Sequence, residues 1–171
     1  MQEVHSFIID GIIRNMDALS RIVAKAEVHS KEKNIPEGDI LGWKLWEDMF
    51  DFRKQIQVAT DDARRNLFLL AGKEHSKFED NETTLVALQE RIKKTKDLIK
   101  TLRVEDLDGA EDRHISLYWM GDSYVLGKDF IHEFVLPNNT FHVVTAYDIL
   151  RSNGVAIGKV DFSGGLSMQK K

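Results

Sequence analysis

Cysteine is absent from the 171-residue chain, and proline occurs only twice. The lack of cysteine excludes disulfides, thiolate metal ligands and a cysteine nucleophile, and it fits a reducing compartment. No apolar run approaches the roughly 20 residues that a membrane span needs. The N-terminus also lacks the basic and apolar segments of a secretory signal. We therefore expect a cytoplasmic protein that does not contact membranes.

An excess of positive charge is lacking as well, since the formal net charge is -4 at pH 7. Proteins that bind nucleic acids normally present a basic domain or a basic stripe. The chain also lacks a glycine-rich phosphate loop, a nucleophile elbow and a dinucleotide-binding fingerprint. We therefore do not expect nucleic acid as a partner, and no familiar catalytic motif indicates a reaction.

What the sequence does contain is a set of long amphipathic segments. Apolar residues recur at intervals of three and four over residues 3–33, 45–71 and 82–102, which predicts three helices with one buried face each. A fourth helix is predicted from residue 129 to residue 153, with a kink at Pro137. Aromatic and β-branched residues around a Gly-Asp turn predict a short hairpin before it. The predicted fold is therefore mainly α, an up-down four-helix bundle with a small β-hairpin before the last helix.

The length of the chain fits one domain. We assign residues 1–162 to a single helical bundle domain and residues 163–171 to a flexible C-terminal tail. Apolar residues lie almost all round the last predicted helix, so this helix is either central in the bundle or covered by a partner. We therefore predict that the protein forms a homodimer.

Three parts of the sequence resemble a known family. The longest combines Phe141-His142-x-x-Thr145-Ala146-Tyr147-Asp148-Ile149-Leu150-Arg151-x-x-Gly154 with Gly158-Lys159-x-Asp161-Phe162. The other two are Asp48-Met49-Phe50, leading to Gln55-Ile56-Gln57, and Phe78-Glu79-Asp80-Asn81-Glu82-Thr83. Together they resemble a bacterial and fungal family of unknown function that is grouped with the DinB/YfiT-like four-helix bundles. The resemblance covers nearly the whole chain and implies the DinB-like bundle fold.

The DinB-like superfamily includes divalent-metal proteins, some of them thiol-dependent transferases and isomerases. Their usual site takes one histidine from the second helix and a His-x-x-x-His pair from the last, because residues four apart share a helix face and neutral imidazoles suit zinc or nickel. His142 matches the first histidine of the pair, but Ala146 stands at the second position and residues 45–71 contain no histidine. We therefore expect no metal cofactor. The alternative is a rebuilt zinc or nickel site from His142, His29 and Asp48.

His142 is the leading candidate for a catalytic or ligand-binding residue. It is interpreted either as a hydrogen-bonded core residue or as a general base or ligand-binding group in a cavity between helices. The candidate pocket residues are His142, Thr145, Trp46 and Trp119, although tryptophans are more often packing anchors. The favoured function is a bundle that binds a small ligand or acts as a structural homodimer without the superfamily metal site. The alternative is a small-molecule transferase or hydrolase that uses His142 as acid/base or in the rebuilt metal site.

Overall fold

A bundle of four helices forms the protein. The computed structural model describes the backbone of residues 2–165 and the side chains of residues 7–165. Its helices are α1 (Gln2–Lys33), α2 (Glu37–Gly42), α3 (Phe52–Leu70), α4 (Leu85–Ile99), α5 (Gly127–Phe130), α6 (Leu136–Ser152) and α7 (Lys159–Ser163). In the bundle, α1 and α3 each pack against both α4 and α6. Within residues 2–165, every helix is too short or too polar to cross a membrane.

A two-stranded sheet lies between α4 and α5. Strand β1 (His114–Ile115) pairs antiparallel with β2 (Val125–Leu126). Two short 3-10 helices, Val104–Leu107 and Ala110–Asp112, precede the sheet. The predicted mainly α bundle with a small hairpin before the last helix is therefore confirmed.

The connection between α3 and α4 returns the chain to the beginning of α3. Gln57 Nε2, in the second turn of α3, donates to Glu82 Oε2 at 2.8 Å. The Glu37 carboxylate of α2 then accepts a hydrogen bond from the backbone N–H of Leu85 at 2.8 Å, where α4 begins. Because both helices start at the same end of the bundle, α3 and α4 run in the same direction. The directions of the long helices therefore depart from a strict up-down alternation at this pair.

The second long helix begins later than its apolar periodicity predicts. Its first residue is Phe52, and the carboxylate of Asp51 accepts a hydrogen bond from the Lys54 backbone N–H at 2.7 Å. Such a cap satisfies an otherwise unpaired N–H and marks the start of a helix. Residues 45–50, predicted to be helical, instead lie in the connection between α2 and α3.

The last long helix is divided before Pro137. Residues Ile131–Val135 form a π-helix between α5 and α6. Pro137 lies in the first turn of α6, where its missing N–H requires no partner. The predicted irregularity therefore lies about one turn earlier than the proline. At the start of α5, a side chain on Gly127 would place its Cβ 1.8 Å from the Ala110 carbonyl oxygen, so only glycine fits there.

The chain after α6 folds back along α1. Arg21 Nε of α1 donates to the Asp161 carbonyl oxygen at 2.8 Å. Arg14 donates to the carbonyl oxygens of Ser163 and Gly165, at 3.2 and 3.4 Å. Residues 163–165 therefore lie against α1. The rest of the tail predicted to be flexible, residues 166–171, lies outside the described residues.

A buried arginine joins α3, α4 and the returning connection. Arg91 is 2% exposed at its side chain. Its guanidinium donates to Thr60 Oγ1 at 2.8 Å, Glu82 at 2.8 Å, Asp61 at 2.9 Å and Asp80 at 3.1 Å. Burial alone would raise the pKa of Glu82, but hydrogen bonds, first of all from Arg91, outweigh it and hold this pKa below its ordinary value.

The ring of Phe78 anchors the same connection. Lys94 Nζ lies 4.2 Å and the Arg64 guanidinium carbon 4.5 Å from the ring centroid, which are cation–π distances. Arg64 also contacts His75 Nδ1 at 3.0 Å. A guanidinium can only donate, so this His75 nitrogen accepts and the ring is neutral. Burial, together with the positive charge of Arg64, lowers the pKa of His75.

Replacing Arg91 by leucine should destabilise the fold strongly. The change leaves buried Glu82 without its cation, while Asp61 keeps its second partner Arg64. Breaking a buried ion pair from one side costs about 3–5 kcal/mol. Urea denaturation would measure the loss. Lys93→Met is the matched control, because Lys93 lies exposed on the same helix and pairs only with exposed Asp97. Equal stability of the two variants would contradict a structural role for the cluster.

Candidate functional site

A row of buried polar side chains lies between α3 and α6. The two helices run in opposite directions, because His142 contacts Gln55 while Asn139, earlier in α6, contacts Ala59, later in α3. Asn139 Nδ2 donates to the Ala59 carbonyl oxygen at 2.9 Å, and Asn139 Oδ1 accepts from Asn15 Nδ2 of α1 at 2.9 Å. The four polar residues Asn15, Gln55, Asn139 and His142 are called the polar seam below.

Gln55 determines which nitrogen of His142 carries the proton. Its Nε2 group donates to the carbonyl oxygen of Phe50 at 3.3 Å, since a carbonyl can only accept. This orientation places Gln55 Oε1 2.7 Å from His142 Nδ1. An amide oxygen also accepts only. The hydrogen-bond pattern therefore assigns the proton of the neutral ring to Nδ1 and leaves Nε2 unprotonated.

His142 Nε2 has no protein partner among the described residues. The residue is only 8% exposed. In residues 7–165, the fully buried side-chain atoms that lack a partner are Arg64 Nε and Asn66 Nδ2, so His142 Nε2 retains contact with solvent. Burial lowers the pKa of His142, which keeps the imidazole neutral near pH 7. Its lone pair can therefore accept a hydrogen bond or a proton.

Phe141 and Thr145 lie beside the imidazole. The Phe141 side chain is 55% exposed, and its ring meets the His142 ring edge-on, with 5.3 Å between centroids and 83° between planes. The Thr145 hydroxyl donates to the Phe141 carbonyl oxygen at 2.8 Å. Thr145 follows His142 by three residues, so the two side chains are neighbours on the helix surface. The site thus combines a hydrogen-bond acceptor with an exposed aromatic ring.

Two larger clefts lie away from His142. One of about 370 Å³ is lined by Phe78, Arg91 and their neighbours. Another of about 470 Å³ lies at the start of α3 and includes Phe50 and Lys54. His142 lines neither of them. A molecule bound at Nε2 would therefore lie outside these two clefts.

Comparison with known proteins identifies the family. A family model described as domain of unknown function (DUF1993) matches residues 4–163. The chain belongs to the DUF1993 family. It is also similar to the crystal structure of a DinB family member from Shewanella denitrificans, with 30% sequence identity and a TM-score of 0.95 over 99% of this chain and 97% of that chain. No curated protein matches the chain by sequence. The predicted family and its DinB-like fold are confirmed.

The residues of this DUF1993 chain do not fit a DinB-type metal site. Next to His142, α3 presents the amide of Gln55, and the position four residues later holds buried Ala146, which has no donor atom. These are too few donors for zinc or nickel. Among the described residues, no three histidine, aspartate or glutamate side chains form a group that could hold an ion. His29 and Asp48 therefore do not complete a rebuilt site with His142.

The two tryptophans predicted to line a pocket lie on the surface. Trp46 is 72% exposed in the connection between α2 and α3. Trp119 is 59% exposed in the hairpin loop, 6.4 Å from the ring of Phe134. Of the predicted pocket residues, Thr145 shares the helix surface of His142.

The sequence did not indicate the other residues of the polar seam. Gln55 and Asn139 lie at the edges of apolar stripes, where periodicity does not distinguish a side chain that faces a neighbouring helix from one that faces water. One signal was present for Gln55, because it begins the Gln55-Ile56-Gln57 segment that resembles the family. No comparable signal indicates that Asn15 reaches Asn139.

The free energy of unfolding should fall when the pH is lowered, in part because of His142. Its pKa is lowered in the folded protein, so its contribution is present above the ordinary pKa of about 6.5 and is lost as the unfolded state takes up the proton. Urea denaturation at pH 7.5 and 5.5 should show a smaller loss in His142→Gln than in the unsubstituted protein. His75→Gln should also reduce the loss, since the pKa of His75 is lowered too. The control is His132→Gln, at an exposed position. An unchanged pH dependence in His142→Gln would contradict this account.

Proposed function

We propose that this DUF1993 protein binds a small molecule at His142 without a metal ion. The observation that carries the proposal is the unpaired Nε2 of a buried, neutral imidazole whose proton is held on Nδ1 by Gln55. Nε2 has no partner among the described residues and retains contact with solvent, so only solvent can pair with it in the free protein. A ligand that donates to Nε2 would take the place of solvent there.

The second candidate function is general-base catalysis by a small-molecule transferase or hydrolase. The fixed tautomer supports it, because Nε2 is already unprotonated at neutral pH and the ring is oriented by Gln55. Binding is favoured over catalysis, because the lowered pKa makes His142 a weak base. Within residues 7–165, no nucleophile or second acid forms a hydrogen bond with it. Neither proposed function uses a metal ion, since the described side chains near His142 do not supply the donors for one.

Screening a library of small molecules against the full chain by thermal shift should find ligands that raise the melting temperature. Long-range nitrogen NMR spectra should show an unprotonated His142 Nε2 in the free protein, and ligands should change this signal. Binding should be lost in His142→Leu, whose folding is checked by circular dichroism. His75→Leu is the matched control, because His75 is also partly buried but belongs to the Arg64 cluster. Ligands that bind equally well to His142→Leu would exclude the proposed site.

We also propose that the protein forms a homodimer in the cytoplasm. In support of self-association, Tyr118 and Trp119 of the hairpin loop remain uncovered, with exposures of 95% and 59%. Light scattering at micromolar concentration should give about twice the 19.6 kDa mass of the chain. Tyr118→Ser should shift the mass toward the monomer, whereas Phe7→Ser, at an exposed phenylalanine on α1, should not. A mass of one chain for the unsubstituted protein would exclude the dimer.

A further inference from the structure

The polar groups around His142 are all uncharged. The polar seam consists of two asparagines, one glutamine and the histidine itself, and Thr145 adds a hydroxyl. Further along α3, Asp62 is paired with Arg65 at 2.5 Å. Burial, without any contribution from a charged neighbour, accounts for the lowered pKa of His142. A charged ligand group would therefore meet no opposite charge at this site.

Burying an ion without a counter-ion is strongly unfavourable, whereas a neutral donor needs only an acceptor. His142 Nε2 is such an acceptor, and it cannot donate in this tautomer. A ligand group that only accepts hydrogen bonds, such as an ether or a carboxylate, would leave Nε2 unpaired. The site thus selects a neutral group with an N–H or O–H bond.

The second element of the site is the exposed ring of Phe141. The two ring centroids are 5.3 Å apart and the ring planes are nearly perpendicular, so an exposed apolar ring lies beside the imidazole. Aromatic rings are attracted to such surfaces in edge-to-face or offset arrangements. A ligand that reaches Nε2 and covers Phe141 requires an apolar ring directly attached to its donor group.

We infer that the ligand of this site is an uncharged aromatic molecule with an N–H or O–H donor on or next to its ring, such as a phenol, an indole or an azole. The donor group binds His142 Nε2, and the ring packs against Phe141. This inference rests on the proposed function and adds the chemical class of the ligand.

Four probes of similar size test the class on the full chain at pH 7.5. They are phenol, anisole without a donor, benzoate with a negative charge and benzylamine with a positive charge. NMR titration measures each affinity from the shifts of the imidazole signals. Phenol should bind about two- to tenfold more tightly than anisole, because anisole cannot form the one hydrogen bond to Nε2. Benzoate and benzylamine should bind more weakly still.

Two variants locate the binding. His142→Leu should abolish the preference for phenol over anisole. Phe141 is exposed, so Phe141→Ala does not put folding at risk. This substitution should weaken the binding of phenol at least about threefold, since it removes the ring surface. Phe7→Ala is the matched control, because Phe7 is a similarly exposed phenylalanine that contacts His132 instead.

The outcomes distinguish the chemical class of the ligand from the location of its site at His142. Tightest binding by benzoate or benzylamine, lost in His142→Leu, would overturn the neutral class and leave the site at His142 in place. Equal affinities of phenol and anisole would also overturn the class. If no probe changes the imidazole signals, the inference is wrong. The library screen then tests the proposed function separately: ligands found there should lose their binding in His142→Leu.

Discussion

The rotation of α3 about its own axis is the constraint on which the site depends. Arg91 holds one face of this helix, through Thr60 and Asp61, against α4 and the returning connection. Because the helix is rigid, its other face must then turn toward α6, and this face carries Gln55 and Ala59. The ion cluster on one side of α3 therefore determines which side chains meet His142 on the other.

The helical bundle was predictable because its apolar stripes are long and regular, and burial of His142 followed from the apolar helix around it. The start of α3 was not predictable from periodicity, since Leu45 and Met49 continue the apolar spacing while the Asp51 cap starts the helix later. Contacts between distant segments, such as Gln55 with His142 or Thr60 with Arg91, depend on how helices are rotated against each other. A single sequence carries little information about that rotation.

The side chains between α3 and α6 suit a different kind of chemistry from that of a metal site. A metal site needs several donors that converge on one point, and its ion dominates the local charge. Here the corresponding interior holds amides, a hydroxyl and one imidazole, all of them neutral. The space between α3 and α6 is therefore suited to hydrogen bonding. Within a shared fold, the activity follows from these few side chains and not from the architecture.

The π-helix before α6 separates the hairpin from the polar seam. A π-helix contains one residue more per turn than an α-helix, and each residue of an α-helix turns the chain by about 100°. A relative with one residue fewer between Ile131 and Val135 would carry its hairpin, with the residue equivalent to Trp119, on a different side of the bundle. Asn139 and His142 would keep their places. Proteins of this family can thus differ in outer surface while they share one interior.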